Sequence, residues 1–196
     1  MQEKLKNAYL KYPSIEDIDM LDEYVKEYKK MFPNYHGVSR ENYDEKLKIW
    51  EEHRKGIGTN GVINNFCWLI DNNKIIGLCT FNINPEVDEK YKTYGGHISY
   101  SIHPKYRNQG YGTLACHLLI KKCLEFGVEE AMITCRDWNT PSKKVIENNF
   151  GILKDKIDDN GELSCRYLIK TRESIKKFEE NVANYWSNCL TNNELK

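Results

Sequence analysis

The amino-terminal part of the chain shows the pattern of a short strand followed by two helices. Residues 8–12, AYLKY, are a strand candidate. Ser14 and Asp17 then form the capping-box pattern of a helix that we predict to continue to Met31. A second helix is predicted over residues 41–55. Apolar residues recur at helical spacing in both, as Ile18, Leu21, Val25 and Tyr28 in the first and as Tyr43, Leu47 and Trp50 in the second.

Two β-hairpins are predicted from pairs of strand-like runs that turn residues separate. The runs NNFCWLID and KIIGLCTFNI meet at the turn 71–73 (DNN), and GILKDKI and ELSCRYLIK meet at the turn 158–161 (DDNG). Asn, Asp and Gly tolerate the left-handed backbone of tight hairpin turns. Each pair of runs is therefore expected to form two adjacent antiparallel strands.

The rest of the chain alternates strands with helices. YGGHISYSIHP (94–104) is a strand candidate, a strong amphipathic helix follows over 111–126, and EEAMITC is a short apolar strand. A helix over 140–149 has Pro141 in its first turn, where the missing N–H of proline costs nothing. A last amphipathic helix is predicted over 173–190. This order of elements predicts a mixed α/β fold without internal repeats.

Composition narrows the classes of function. The 196 residues carry 29 Lys and Arg against 29 Asp and Glu, a net charge of +0, so we expect neither nucleic acid nor an anionic membrane as a partner. The seven cysteines include no C-x-x-C pair, which argues against a disulfide framework or a bound metal. No apolar run has the length of a signal-peptide core or a transmembrane helix, so a cytoplasmic protein is expected.

The stretch YRNQGYG (106–112) is the strongest candidate for chemistry. Gly110 and Gly112 lie beside Arg107, between a predicted strand and a predicted helix. The first N–H groups of a helix lack partners within it, and glycines let such groups converge on a phosphate, to which arginine adds charge. A tight turn with a surface arginine explains the same residues. Two other phosphate sites are disfavoured, because G-x-x-x-x-G-K-[ST] is absent and Ala115 replaces the third glycine of G-x-G-x-x-G.

Two stretches in this order resemble a known family. IHPKYRNQGYGTLACHLL contains R-x-x-G-x-G at Arg107, Gly110 and Gly112, and ITCRDWNTPSKKVIENNFGILKD contains N-x-x-S before a helix and a glycine turn. Over residues 95–153 they resemble the acetyl-CoA-binding motif, and the strand and helix after it, of the GNAT superfamily of N-acetyltransferases. The resemblance is closest to a bacterial branch of predicted acetyltransferases with G-G-H-I-x-Y-x-I-x-P. It implies an acetyl-CoA-binding domain over 1–170, followed by a C-terminal helical extension over 171–196.

The resemblance also implies a fold and a cofactor site. The fold is α/β, with a central twisted mixed sheet that splays in the middle at a bulge and helices on both faces. Acetyl-CoA is the implied cosubstrate. Its pantetheine arm would pair with the splayed strand, its pyrophosphate with the amides of the glycine turn, and its thioester end with the start of the next helix. The implied positions are, in that order, Tyr100, Ser101 and Ile102; Arg107, Asn108, Gln109, Gly110, Tyr111, Gly112 and Thr113; and Asn139, Ser142 and Lys143.

The reaction that the resemblance implies is acetyl transfer to a primary amine of a small molecule or peptide. The amine must lose a proton, and the departing thiolate must be stabilised. His97 is the candidate base, with a structural histidine as the alternative, and Tyr100 is a second catalytic candidate, with packing as its alternative. Ile146 stands where many family members have a tyrosine acid, so the acid stays unassigned. A non-catalytic acetyl-CoA-binding module is the second hypothesis.

No sequence pattern identifies the acceptor amine or the oligomeric state. Acceptor-binding parts are expected in residues 14–60 and at the turn 158–161. Cys135 is interpreted as a buried structural thiol, His103 as a turn residue, and Tyr111 as packing or as a lid over the cofactor. The apolar side of the last helix could pack on its own domain or form a homodimer, and the sequence leaves both open; its residues are Ile175, Phe178, Val182 and Trp186.

Overall fold

The structure of the protein is a computed structural model that describes the backbone of residues 7–193 and the side chains of residues 7–182. Within this part of the chain, seven strands and five α-helices follow one another, joined by short helical turns. The strands are β1 Tyr9–Lys11, β2 Ile63–Asp71, β3 Lys74–Ile83, β4 Ile98–Ile102, β5 Glu130–Arg136, β6 Ile152–Asp159 and β7 Glu162–Lys170. The helices are α1 Ile18–Met31, α2 Tyr43–His53, α3 Tyr111–Glu125, α4 Thr140–Asn148 and α5 Thr171–Asn193.

The strands form one mixed sheet in the order β1-β2-β3-β4-β5-β7-β6. β4 and β5 run parallel, and every other neighbouring pair is antiparallel. Successive side chains of a strand point to opposite faces of a sheet. On β2, Cys67 and Leu69 therefore join one hydrophobic core with α3, whereas Trp68 and Ile70 join a second core with α1 and α2. The predicted α/β fold, a mixed sheet with helices on both faces, is confirmed.

Both predicted hairpins are present, and their turns use left-handed backbone. The φ angles are 47° at Asn72 and 54° at Asn73 in the β2–β3 turn, and 57° at Asn160 and 86° at Gly161 in the β6–β7 turn. Two successive positive φ values are those of a type I′ turn, whose twist matches the twist of the strands that it joins. The asparagines and glycine of these turns thus set the register of both hairpins.

The strand predicted from residues 94–104 is shorter than expected, since β4 contains only residues 98–102. Gly96 ends the extended segment on its amino-terminal side, because φ 62° and ψ −160° form a backbone conformation that is essentially restricted to glycine. Residues 91–95 before it form a helical turn, and Pro104 starts another turn after β4. β4 therefore begins where it meets β5.

Helix α5 covers α3 on one face of the sheet. The Thr171 hydroxyl hydrogen-bonds two carbonyls that precede β5, at 2.9 and 3.0 Å. The Ser174 hydroxyl donates to the carbonyl of Asn149 at 2.8 Å. Phe178 stacks on His117 of α3, with the ring centroids 3.9 Å apart. These contacts make the first turns of α5 part of the domain's packing.

The apolar side of α5 packs on its own domain through Ile175 and Phe178. Val182 is half-buried, and Trp186 lies outside the residues whose side chains are described. In the described part of the chain, none of the helices combines the length and the hydropathy needed to cross a bilayer.

Folding stability should fall on acidification because of His117. Burial, helped by the nearby charge of Lys121, lowers the pKa of His117 to about 4. The unfolded chain, with a histidine pKa of about 6.5, takes up the proton first, so stability is lost as the pH falls from about 6.5 to about 4, by roughly 3 kcal/mol. In His117→Phe, which keeps a ring against Phe178, urea unfolding at several pH values should lack this loss. A variant with the wild-type slope in that pH range would contradict the assignment.

Candidate active site

β4 and β5 lie side by side only where the first residue of β4 meets the middle of β5. In the described chain their one register pair joins Ile98 to Ile133, and the strands separate beyond it. We call the wedge beyond this pair the fork. The predicted splay in the middle of the sheet is thus confirmed. The bulge expected there is not found between β4 and β3, whose five residue pairs from Gly77 to Phe81 run without a register shift. The fork arises because β5 diverges while β4 stays on β3.

The apex of the fork is held by side chains as well as by backbone. The His97 N–H donates to the Met132 carbonyl (2.7 Å), and the Met132 N–H donates back to Nδ1 of the His97 ring (3.0 Å). The imidazole nitrogen thus accepts where a backbone carbonyl would accept in a regular ladder. The Asn82 side chain of β3 donates to the carbonyl of Gly96 (2.9 Å), which fixes the residue just before His97.

This bond restricts what His97 can do as a base. When Nδ1 accepts a hydrogen bond, the proton of the neutral ring is assigned to Nε2. Burial lowers the pKa of His97, so the neutral ring is favoured. To take a proton from an amine, the ring must first release the Met132 N–H. The geometry therefore favours the structural alternative for this histidine.

Tyr100 connects the fork with the two helices beside it. Its hydroxyl lies 3.5 Å from the Ser142 hydroxyl at the start of α4. A Cβ at Gly112 of α3 would lie 3.8 Å from the Tyr100 ring and 3.2 Å from Val145, so glycine lets the helix approach both. Burial raises the pKa of Tyr100 well above its ordinary value, and the hydroxyl keeps its proton. Ser101 is exposed and, by strand alternation, points to the other face of the sheet.

The glycine loop, residues 104–112, carries the chain from β4 into α3. Asn108 and Gly110 have left-handed φ values of 58° and 90°, and Gly110 is the N-cap of α3. Arg107 is exposed, and its Nε donates to the carbonyl of Ile102 at the end of β4 (3.2 Å). The first amides of α3, up to Thr113, have no acceptor within the helix, and the helix dipole is positive there. The loop therefore presents N–H groups and one cation beside the fork.

Two predicted loop residues use their side chains within the protein. Tyr111 is buried, and its hydroxyl donates to Asp71 Oδ2 at the β2–β3 turn (2.6 Å). These contacts favour packing over a lid as the role of the Tyr111 side chain. The Gln109 side chain donates to the carbonyl of Lys105 (3.0 Å) and braces the loop. Because its side chain is engaged in this way, Tyr111 can contact a ligand through its backbone.

The start of α4 is organised by Asn139 and by an aspartate that the sequence analysis missed. The Asn139 side chain accepts the Ser142 N–H (3.2 Å) and caps the helix. Lys143 forms an ion pair with Asp137, which directly follows β5 and also pairs with Lys156. This pairing also holds the pKa of Asp137 well below its usual value. Asp137 and Lys143 are six residues apart, a spacing that no helix or strand pattern would have connected.

Cys135 and Ile146 face the interior. Burial raises the pKa of the Cys135 thiol to about 11, as expected for a structural cysteine. Ile146 is fully buried and packs so closely on the next turn that a Cβ at Gly151 would meet it at 2.4 Å. Position 146 is therefore filled by apolar packing, and the hydroxyl groups that do lie beside the fork include those of Tyr100 and Ser142.

Comparison with known protein families identifies the family of this chain. The model of the acetyltransferase (GNAT) family matches residues 19–152, more than half of the chain. The chain belongs to the GNAT family. GNAT proteins are acetyl-CoA-dependent acetyltransferases, so this protein is an enzyme of that class, and the non-catalytic module is not supported. A search of curated protein sequences found no match.

Solved structures of GNAT enzymes share this fold at low sequence identity. A probable acetyltransferase superposes with a TM-score of 0.61 at 17% identity, over 86% of this chain and 95% of its own. RimL, a ribosomal L7/L12 alpha-N-protein acetyltransferase solved with coenzyme A in a disulfide to a cysteine, gives 0.61 at 18%, over 85% and 96%. The microcin C7 self-immunity acetyltransferase MccE, solved with acetyl-CoA and AMP, gives 0.60 at 19%, over 83% and 92%. The likeness extends over almost the whole GNAT fold.

Proposed function

We propose that this GNAT enzyme transfers the acetyl group of acetyl-CoA to a primary amine of a small molecule or a peptide. The observation that carries the proposal is the fork itself, where the free edge of β4, the ring of Tyr100 and the start of α3 lie together. A slot between two strands offers backbone partners to an extended chain with amides, such as pantetheine. An amine acceptor is supported by RimL, which is named as an alpha-N-protein acetyltransferase.

In this proposal acetyl-CoA extends from the glycine loop into the fork. Its pyrophosphate lies on the first amides of α3 beside Arg107, because unpaired N–H groups, the helix dipole and a guanidinium all favour phosphate. Its pantetheine arm pairs with the backbone of residues 100–102. Its thioester end reaches Ser142 and Asn139, and Lys143 contributes by holding Asp137.

We assign the hydroxyl groups of Tyr100 and Ser142 to the leaving thiolate. Their oxygens are 3.5 Å apart on opposite walls of the site. A cysteine-like thiol has a pKa of about 8.5, and the pKa of Tyr100 lies well above that. Full proton transfer from tyrosine to thiolate is therefore uphill, and the expected role of Tyr100 is to donate a hydrogen bond to the developing charge.

His97 is expected to position the apex of the fork. His97→Asn keeps an acceptor for the Met132 N–H, so kcat/KM should stay within about threefold and the pH–rate profile should keep its shape. Loss of a general base would instead cost about 10²- to 10⁴-fold. A hundredfold loss in the Asn variant, together with a missing acidic limb in the profile, would identify His97 as the base.

The acceptor class is best found by measuring thiol release from acetyl-CoA over a panel of amines. The panel contains peptides with free amino termini, amino acids, polyamines and aminoglycosides, and product masses confirm acetylation. Thiol release that depends on one acceptor class supports the proposal. Tight binding of coenzyme A with no acetylated product from any class would overturn it.

We propose that the enzyme is located in the cytoplasm. The six described cysteines are free and buried, which fits a reducing compartment. The equal numbers of acidic and basic residues give no reason for a nucleic acid partner.

A homodimer is the alternative to a monomer, and the native mass in light scattering distinguishes them.

A further inference from the structure

A chain of aromatic rings joins α1 to the glycine loop. The His103 ring makes edge contacts with Tyr24 and Tyr28 of α1, at centroid distances of 5.0 and 5.4 Å. It also contacts Tyr106 of the loop at 5.6 Å, and Tyr106 meets Tyr111 at 6.2 Å. Contacts of this kind stabilise aromatic pairs beyond their burial. The loop therefore rests on a continuous layer of rings that begins on the opposite face of the sheet from α3.

Besides its ring contacts, His103 forms hydrogen bonds with the backbone of the loop. Its Nδ1 accepts the N–H of Lys105 (3.2 Å), and its carbonyl accepts the N–H of Tyr106 (2.8 Å). Its own N–H donates to the carbonyl of Ile76 on β3 (2.9 Å). His103 is 2% exposed, and its ring packs among those of Tyr24, Tyr28 and Tyr106. The backbone of His103 thus ties the first turn of the loop to β3, and its ring bonds the Lys105 N–H within that turn.

The loop is anchored at its exit as well. There the buried hydroxyl of Tyr111 donates to Asp71. Between the two anchors, Arg107, Asn108 and Gly110 are exposed. A segment that is exposed in the middle and buried at both ends can present its amides in one arrangement before a ligand arrives. Such preorganisation lowers the entropy cost of binding.

We propose that His103 is a positioning residue for the cofactor, which fixes the orientation of Arg107 and of the amides after it through the bond from the Lys105 N–H to its Nδ1. The inference rests on the proposed placement of the pyrophosphate on this loop. His103 does not touch the reacting atoms, so its effect is on the affinity for coenzyme A and not on the chemical step. This assigns a function to a residue that the sequence analysis interpreted only as part of a turn.

The test separates the ring from its acceptor nitrogen. His103→Phe keeps the ring packing but leaves the Lys105 N–H without an acceptor, whereas His103→Asn keeps an acceptor at this cap position. By calorimetry, the Kd for coenzyme A should rise about tenfold in the Phe variant and stay within about threefold in the Asn variant. The KM for acetyl-CoA should follow the Kd, and kcat at saturating acetyl-CoA should stay unchanged. A wild-type Kd in the Phe variant would overturn the proposal.

His117, a second buried histidine that lies on α3, provides a matched control. His117→Ala removes a buried ring that stacks on α5, so it should lower the melting temperature and leave the Kd for coenzyme A unchanged. If both histidine variants weaken binding in proportion to lost stability, His103 has only a structural role. If His103→Phe does not fold, the comparison of His103→Ala with His103→Asn decides. Failure of the wild type to bind coenzyme A would overturn the proposed function itself, whereas a failure confined to the His103 variants leaves that function intact.

Discussion

A Gly110→Asp variant should bind coenzyme A at least a hundredfold more weakly than the wild type while remaining folded. Gly110 is the N-cap of α3, and a carboxylate there would meet the pyrophosphate at the point where the proposed site needs positive potential. Asp is itself a favoured N-cap residue, so the helix should persist. The left-handed φ of 90° adds some strain, of about 1 kcal/mol. Calorimetric titration with coenzyme A, together with a thermal melt, measures both effects.

Gly110→Asn is the matched control for that experiment. It introduces a side chain of the same size and the same backbone strain, and it carries no charge. We expect it to weaken coenzyme A binding by about tenfold or less, since it lacks the repulsion between like charges. Equal losses in the Asp and Asn variants would show that bulk, and not charge, is what the site rejects.

A Gly96→Ala variant should be the most destabilised of the variants considered. A Cβ at this position would lie 2.6 Å from the carbonyl oxygen of Met132, and the backbone around it is close to restricted to glycine. Relief requires the apex of the fork to open, which breaks the bonds between His97 and Met132. We expect a loss of about 3–4 kcal/mol, or roughly 10 °C in melting temperature for a chain of this length.

Gly127→Ala isolates the effect of the close contact. Gly127 also has a left-handed φ, of 82°, but nothing lies within 4 Å of its hypothetical Cβ. Its substitution should therefore cost only the backbone strain of about 1 kcal/mol. If the two alanine variants have the same melting temperature, the packing of Gly96 against β5 does not limit stability. The apex then accommodates a Cβ more easily than its contacts indicate.

The sequence predicted those parts of the molecule that depend on neighbours in the chain. The hairpin turns at 71–73 and 158–161, and the helix that follows Gly110, are all encoded within a few residues. The bonds that shape the site join residues far apart in the chain, such as Met132 with His97 or Tyr111 with Asp71. No periodicity reports such pairs, because they exist only once the strands have been ordered in the sheet.

The same reason explains the errors at β4. Its sequence continues as a plausible strand through Gly96, and only the tertiary contact with Met132 shows why a glycine with an unusual backbone stands there. The resemblance to GNAT enzymes supplied the splay and the cofactor loop. It carried no information on His103, whose partners Tyr24 and Tyr28 lie on α1, some 75 residues earlier in the chain.

The packing of α5 has a consequence for how the protein is made. α5 is synthesised after every element that it covers, and Phe178 and Ser174 reach back to α3 and to the end of α4. Until those residues leave the ribosome, His117 and the apolar side of α3 around it have no cover. The apolar side of α3 therefore stays exposed until α5 has been synthesised, and docking of α5 is expected to be a late step in the folding of the domain.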